Sequence, residues 1–288
     1  MSMEKVLVTG ASGYIGRHVV RELLRRGFFV VASDVRQDVE NPEAVFTDVD
    51  IFSGDEGVFD AFGKPDLLIH LAWEKGFVHG APEHMGRLSQ HYAFLRDMAE
   101  GGLKEMAVMG SMHEAGFFEG AVSAETPCRP LSLYGVSKNA LRQAMSIEAE
   151  RIGFSLYWLR GYYIYGDDMR GSSIFAKITQ AAAEGKKAFP FTTGRNKYDF
   201  IRIEELARQI VSAATQRLRG VDSPVTGVIN VCSGKAVPLA EQVESFIREN
   251  GFDISLEYGA FPDRPYDSKF IWGDDSLIRR ILAADKAL

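Results

Sequence analysis

Tyr134 and Lys138 lie four residues apart in a stretch whose apolar spacing predicts a helix from about 133 to 152. That spacing places both side chains on one helical face. A phenol with a pKa near 10 is a weak base at neutral pH, but an ammonium group one turn away favours the phenolate and is expected to lower that pKa. Tyr134 could then exchange a proton with an oxygen that changes between alcohol and ketone. Ser111, at the predicted end of a strand, could hydrogen-bond the same oxygen.

Three glycines, Gly10, Gly13 and Gly16, follow the apolar run 6–8 and precede a helical pattern. Glycine permits positive φ and lets the backbone approach a ligand closely, and the N terminus of a helix attracts an anion. A strand, a glycine turn and a helix in this order predict a site for the pyrophosphate of a dinucleotide.

A second apolar run ends at Asp34, 18 residues after Gly16. An acidic residue at about this distance hydrogen-bonds the adenosine ribose hydroxyls and repels a 2′-phosphate, so Asp34 favours NAD as the cofactor. Arg17 and Arg36 are near enough in sequence to bind the 2′-phosphate of NADP if Asp34 turned away. NADP therefore stays open at this point.

The first 114 residues alternate short apolar strands with helical stretches, which predicts an α/β fold with a Rossmann-type doubly wound parallel sheet. Ligands bind at the carboxyl ends of the strands in such sheets, so Ser111 is expected beside the cofactor. His70 lies within a buried strand and is expected to be a hydrogen-bonded core histidine. His113, two residues after Ser111, is a candidate proton carrier or sugar contact, with a loop histidine bonded to backbone as the alternative.

The composition, 46% hydrophobic and 25% charged, is typical of a folded globular protein. A net charge of -6 without a basic run argues against nucleic acid or an anionic membrane as the partner. Cys128 and Cys232 match no zinc or redox spacing, and no metal site is expected. Because no leader and no long apolar run occurs, the expected location is the cytoplasm.

Taken together, these segments resemble the extended short-chain dehydrogenase/reductases, the branch that contains NAD-dependent epimerases, dehydratases and reductases of nucleotide-activated sugars. The resemblance spans nearly the whole chain. The motifs that carry it are Thr9-Gly-Ala-Ser-Gly-Tyr-Ile-Gly16, Asp48-Val49, His70-Leu-Ala72, Ser111, Tyr134-Gly-Val-Ser-Lys138, Leu159-Arg-Gly-Tyr-Tyr-Ile-Tyr-Gly166 and Tyr198-Asp-Phe-Ile-Arg-Ile-Glu-Glu-Leu-Ala207.

The resemblance implies that Ser111, Tyr134 and Lys138 are the catalytic residues and that Lys138 also holds the nicotinamide ribose. It implies a Rossmann domain over 1–165, to which 199–232 returns, and a small α/β substrate-binding region formed by 166–198 and 233–288. The implied cofactor-binding residues are Gly10, Ser12, Gly13, Tyr14, Ile15, Gly16, Asp34, Arg36, Asp48, Val49, Leu71, Ala72, Trp73, Tyr134 and Lys138.

The chain departs from the family pattern where the substrate is expected. Tyr163 stands in place of an asparagine that often approaches the sugar diphosphate, and Tyr198 stands in place of an arginine. Arg195, Lys197 or Arg202 could supply the missing positive charge. Arg264 belongs to a C-terminal element that often touches the nucleotide. Tyr163, Arg195, Lys197 and Arg264 are therefore the candidate substrate contacts.

Met112 and His113 follow Ser111 where sugar 4,6-dehydratases of the family carry an Asp-Glu pair, so dehydration is disfavoured. The favoured function is reduction of a 4-keto deoxysugar by hydride transfer, with Tyr134 as proton donor. Two alternatives remain, an NAD-dependent nucleotide-sugar 4-epimerase and a dinucleotide-sensing regulator without turnover. A homodimer is expected, in which the helical segments 83–100 and 133–152 form a four-helix bundle.

Overall fold

The structure, a computed structural model, describes residues 3–37, 40–76, 78–166, 173–263 and 268–285. Its strands are β1 Lys5–Thr9, β2 Phe29–Ser33, β3 Val45–Thr47, β4 Leu67–His70, β5 Glu105–Ser111, β6 Gly120–Val122, β7 Ser155–Gly161, β8 Tyr163–Tyr165, β9 Ala188–Pro190, β10 Lys197–Arg202, β11 Gly227–Val231, β12 Ala236–Pro238, β13 Ser255–Glu257 and β14 Phe270–Gly273. Its helices are α1 Gly16–Arg25, α2 Val58–Ala61, α3 Glu83–Gly86, α4 Leu88–Glu100, α5 Leu133–Glu148, α6 Ile174–Ala183, α7 Ile203–Ala214, α8 Leu239–Glu249 and α9 Ser276–Asp285.

Strand β1 shows why the chain forms a sheet covered on both faces. Val6, Leu7 and Val8 are fully buried, and successive side chains of a strand point to opposite faces. Val6 and Val8 pack in the cluster that contains residues of α1, α7 and α9. Leu7 packs in the other cluster, with residues of α2, α4 and α5. A continuous apolar run therefore serves two helical layers at once.

Seven parallel strands form the large sheet in the order β11-β7-β5-β4-β1-β2-β3. The chain order reverses between β1 and β4, and ligands bind outside the carboxyl ends of strands at such a switch point. Thr9 pairs with Ser33 on one side and with His70 on the other. The predicted Rossmann-type α/β fold is confirmed.

A smaller layer is built from short strands of several chain segments. Strands β12, β10, β14 and β6 are hydrogen-bonded in that order, β8 pairs with β10, and β9 pairs with β13. A third apolar cluster, which includes Phe175, Phe200 and Phe246, packs beside these strands. Helix α7 instead joins the core under the large sheet. The division of the chain at 165, 198 and 232 stays a prediction.

Two predicted helices differ from the observed ones. The segment 83–100 forms two helices, α3 and α4, which meet at Arg87, directly after Gly86. Glycine in a helix loses more conformational freedom than other residues, which favours a break there. The predicted helix 133–152 ends as an α-helix at Glu148 and continues as a π-helical turn over Ala149–Gly153.

Within the described ranges, no helix has the length and apolarity needed to span a membrane.

Candidate active site

The glycine turn between β1 and α1 is closed so tightly that side chains would not fit. Gly10 has a φ of +71°, and a Cβ placed on it would lie 2.6 Å from the Ala72 nitrogen. A Cβ on Gly16 would lie 2.0 Å from the Gly10 carbonyl oxygen. The turn thus brings bare backbone to the N terminus of α1, which fits the pyrophosphate of a dinucleotide.

Asp34 lies beside this turn, at the carboxyl end of β2. Its Oδ2 accepts a hydrogen bond of 2.9 Å from the Ser12 backbone nitrogen, and its Oδ1 accepts one of 2.7 Å from the Val35 nitrogen. The Ser12 hydroxyl donates to the Arg36 carbonyl oxygen. Each carboxylate oxygen can accept more than one hydrogen bond, so Asp34 is oriented by the turn and can still bind a ribose hydroxyl.

The remaining candidate cofactor residues lie along the same sheet edge. Asp48 is exposed just after β3, and Val49, whose nitrogen donates to the Thr47 hydroxyl at 3.3 Å, packs partly against the core. The Leu71 nitrogen donates to the Thr9 carbonyl at 3.0 Å, so the residues after β4 lie next to the glycine turn that follows β1. Tyr14, Ile15, Leu71, Ala72 and Trp73 are partly buried there. The structure brings all these residues to the carboxyl end of the sheet.

Ser111 and Tyr134 meet where β5 ends and α5 begins. Ser111 is 7% exposed, and Tyr134 is partly buried next to it. Burial raises the pKa of Tyr134 to about 12, while the hydrogen bond with Ser111 acts in the opposite direction. The expectation of a lowered Tyr134 pKa is therefore wrong for this structure. Tyr134 is a protonated phenol at neutral pH, which is the form that donates a proton.

Lys138 explains that difference, because its ammonium group is held by other partners. Its Nζ donates to the Met109 carbonyl at 2.8 Å and lies 3.7 Å from the centre of the Trp73 ring. Burial lowers the pKa of Lys138 to about 7, and the negative charge of Glu114 opposes that shift. Cation–π contact with an indole compensates part of the lost hydration.

Trp73 is itself fixed on two sides. Its ring stacks on His91 at a centroid separation of 4.4 Å and an interplanar angle of 16°. Its indole N–H donates to His84 Nδ1 at 3.0 Å, which leaves the His84 Nε2 proton for the Val78 carbonyl at 2.9 Å. A rigid indole beneath Lys138 limits the positions open to the ammonium group.

His70 and His91 form a buried hydrogen-bonded pair behind the glycine turn. His70 Nδ1 lies 2.7 Å from the Thr9 hydroxyl oxygen, and His70 Nε2 lies 2.9 Å from His91 Nδ1. Burial lowers the pKa of His70 and lowers that of His91 to about 3, with the charge of Lys138 adding to the effect on both. His70 is the hydrogen-bonded core histidine that the sequence predicts.

His113 lies beside Tyr134 together with a histidine that sequence reasoning missed. The His113 and His79 rings are 4.1 Å apart, and the His79 ring is nearly parallel to Tyr134 at 5.5 Å. Burial and the neighbouring His79 lower the pKa of His113 to about 3, so His113 is neutral near pH 7. A neutral imidazole can contact a sugar hydroxyl, and its role as proton carrier or sugar contact stays a prediction.

Five of the six histidines of the chain thus surround Trp73, Tyr134 and Lys138. Among the residues that the structure describes, no three ligand-type side chains converge in a way that would hold a metal ion. A signal for this cluster exists in the sequence, because these five histidines all fall between positions 70 and 113. Glu114, which is fully buried below Ser111, is a second residue that the sequence analysis did not single out.

The candidate substrate contacts lie in the smaller layer. Tyr163 in β8 is partly buried, with its ring 4.3 Å from the ring of the buried Tyr198. Arg195 and Lys197 are exposed at the start of β10. Arg264 lies outside the described residues. The substrate roles of these side chains stay predictions.

A Rossmann-type sheet, a glycine turn that admits a pyrophosphate and a Ser-Tyr-Lys set at the switch point define a dinucleotide-dependent oxidoreductase. The sequence model of the NAD dependent epimerase/dehydratase family matches residues 6–232. The chain belongs to that family.

Known proteins of high similarity to this chain include a dehydrogenase. The dTDP-6-deoxy-L-talose 4-dehydrogenase (NAD(+)) of Aggregatibacter actinomycetemcomitans is 42% identical over 278 residues, which cover 93% of this chain and 98% of that protein. The structure of MoeE5 in complex with UDP-glucuronic acid and NAD has a TM-score of 0.82 and 25% identity, and covers 97% of this chain and 92% of its own.

A UDP-glucose-4-epimerase from Stenotrophomonas maltophila, with bound NAD and formylated UDP-arabinopyranose, has a TM-score of 0.84 at 22% identity over 98% of this chain and 93% of its own. That likeness supports the fold alone. The predictions of a nucleotide-sugar oxidoreductase of this family and of NAD as its cofactor agree with these relatives.

Proposed function

We propose that this protein interconverts the 4-keto and 4-hydroxy forms of a 6-deoxyhexose carried on a nucleoside diphosphate, with NAD as the cofactor and reduction as the favoured direction. The observation that carries the proposal is that Tyr134, a protonated phenol, lies beside Ser111 at the end of β5 and shares a helix with Lys138. The similarity to the dTDP-6-deoxy-L-talose 4-dehydrogenase supports the choice of sugar and of carbon atom.

In this proposal Gly10, Gly13 and Gly16 hold the pyrophosphate and Asp34 holds the adenosine ribose. Bound NAD supplies the chemistry of hydride exchange with the sugar carbon. Tyr134 gives its phenolic proton to the oxygen that becomes a hydroxyl, and Ser111 orients that oxygen by a hydrogen bond.

The surrounding side chains give this reaction its environment. Trp73, His79, His84 and His113 all have rings within about 6 Å of the Tyr134 ring centre. Such a lining limits the access of water to the proton donor, which strengthens its electrostatic interactions. Tyr163, Arg195, Lys197 and Arg264 are proposed to contact the nucleotide sugar.

The test is a turnover assay with purified protein, dTDP-4-keto-6-deoxyhexose and NADH, followed at 340 nm, with the product identified by NMR at C4. Stoichiometric loss of NADH supports the reductase. Isomerised product without net change at 340 nm supports the 4-epimerase instead, and absence of turnover despite NAD binding supports a sensor. Tyr134→Phe is expected to lower turnover by a factor on the order of 10² to 10⁴ with nearly unchanged NAD affinity.

We also propose that the protein is a cytoplasmic homodimer. Helix α5 exposes Leu133, Val136 and Ile147, and Ile147 keeps 67% of its surface accessible. Apolar side chains on one exposed helical face favour packing against a second copy. Light scattering at micromolar concentration checks this, and a monomeric mass would contradict it.

A further inference from the structure

The Glu114 carboxylate lies directly beneath the strand end that presents Ser111. Glu114 has no exposed surface. Its Oε1 accepts hydrogen bonds from the Ser111 backbone nitrogen at 2.7 Å and from the Trp158 indole nitrogen at 2.9 Å. The Ser111 side chain in turn accepts from the backbone nitrogens of His113 and Glu114, so residues 111 and 114 form a reciprocal capping box.

Two guanidinium groups face the second oxygen of this carboxylate. Arg160 from β7, also without exposed surface, donates to Glu114 Oε2 at 3.3 Å and to the Ser123 carbonyl at 3.1 Å. Arg142 from α5 lies 3.8 Å from the same oxygen. A buried ion pair adds little net stability compared with an apolar pair of the same volume. We therefore expect the Glu114 ion pairs to affect the position of Ser111 more than the stability of the fold.

The strand leaves room for the carboxylate because residue 110 is glycine. A Cβ on Gly110 would lie 2.2 Å from the Trp158 Nε1 and 2.7 Å from the Glu114 Oε1. Those contacts are far below van der Waals distance. The hydrogen bond between the Glu114 carboxylate and the Ser111 nitrogen therefore requires a residue without a side chain at position 110.

We propose that Glu114 is a positioning residue that fixes the Ser111 backbone through a charged hydrogen bond and places a negative charge behind the Tyr134–Lys138 pair. The proposal rests on the proposed function for its turnover readout. Hydrogen bonds to an ionised acceptor are roughly twice as strong as neutral ones, so loss of this charge loosens the residue that orients the reacting oxygen.

The charge of Glu114 acts on both partners in the same direction. It raises the pKa of Tyr134, adding to the effect of burial, and it raises the pKa of Lys138 against the effect of burial. The ionisable groups around this centre include Arg160 on β7, Tyr162 directly after it, Cys128 beside Arg160, Arg142, Tyr134 and Lys138 on α5, His70 on β4 and His91 on α4. Removal of the carboxylate is therefore expected to lower the pKa of Lys138 further.

The experiment compares Glu114→Gln with Glu105→Gln. Glu105 is the matched control, because it is a 6% exposed carboxylate at the start of β5, the strand that ends at Ser111. There it accepts hydrogen bonds from Tyr157 and Ser155. We expect Glu114→Gln to lower kcat about 10- to 100-fold with NAD affinity unchanged, and Glu105→Gln to leave kcat unchanged. In a Ser111→Ala background, the part of the effect that passes through the Ser111 side chain is lost, so Glu114→Gln should lower kcat by a smaller factor than it does in the unaltered protein.

If Glu114→Gln does not fold, the double variant Glu114→Gln/Arg160→Met replaces it, because it removes the fully buried guanidinium together with the carboxylate, while the partly exposed Arg142 keeps its hydrogen bond to Asn139. Full additivity with Ser111→Ala, or unchanged kcat in a folded variant, would overturn the proposal. Failure of the proposed function would look different, since the unaltered protein would then turn over no nucleotide sugar. NMR titration of Lys138 decides in that case: a midpoint lower than in the Glu105→Gln control supports the proposal, and an unchanged midpoint overturns it.

Discussion

Replacement of Lys138 by methionine should change how the stability of the protein depends on pH. Burial lowers the pKa of Lys138 to about 7 in the folded protein, against an ordinary value of 10.5. Between these values the unfolded chain binds a proton that the folded chain does not bind. The free energy of unfolding must therefore rise with pH across this window. Below pH 7 both states are protonated, so Lys138 adds no further pH dependence to the free energy of unfolding.

The expected magnitude follows from the width of the window. A shift of about 3.5 pH units at about 1.36 kcal/mol for each unit gives about 4 to 5 kcal/mol between pH 7 and pH 10.5. Lys138→Met removes the titrating group, so the unaltered protein should gain stability relative to the variant as pH rises, with a slope near 1.4 kcal/mol per pH unit.

Urea unfolding at pH 6, 7, 8, 9 and 9.5 measures this difference. Lys186→Met serves as the control, because that side chain is 60% exposed and pairs with the exposed Glu184. Its stability curve should run parallel to that of the unaltered protein. Parallel curves for Lys138→Met as well would refute the reasoning, since the lysine would then titrate alike in both states.

Two further perturbations test the cofactor turn and the support of the lysine. Gly16→Ala should weaken NAD binding at least tenfold, because the added Cβ would meet the Gly10 carbonyl oxygen at 2.0 Å, whereas Gly86→Ala, with nothing within 4 Å, should bind NAD normally in calorimetry. Trp73→Leu should lower turnover about five- to thirtyfold by removing a cation–π contact worth roughly 1 to 2 kcal/mol, and Trp73→Phe should retain part of the activity. Equal activity of the leucine and phenylalanine variants would contradict that role for Trp73.

Local pattern was sufficient to predict the architecture of the large sheet. Apolar runs such as that in β1 determine both their own burial and the need for helices on both faces. The glycine turn and Asp34 could also be placed, because their positions relative to β1 and β2 follow from short connections. The family, and with it the NAD cofactor, could be predicted from these same segments.

The electrostatic state of the site could not be predicted from spacing. Tyr134 and Lys138 do share a helical face, yet the lysine ammonium is directed to Met109 and Trp73, which come from other elements. Burial then dominates the pKa of both residues. Helical spacing predicts that the two side chains point the same way, but it does not predict the groups on other elements that Lys138 contacts.

Long-range partners account for the other residues that were missed. Glu114 owes its importance to Trp158 and Arg160, which lie more than 40 positions away. His79 reaches Tyr134 through the connection after β4, where its carbonyl accepts from the Tyr134 nitrogen at 3.0 Å. Neither contact leaves a periodic signal in the sequence, whereas the crowding of histidines between 70 and 113 was visible.

The bare backbone at position 110 also has a consequence for how this sequence can change over time. An alanine there would collide with Trp158 and with Glu114 at once. A smaller residue at either of those positions would relieve only one of the two collisions. Substitutions at 110, 114 and 158 are therefore tolerated in some orders and rejected in others, so relatives of this protein should carry these three residues as a linked set, and a variant library at the three positions should show strong epistasis.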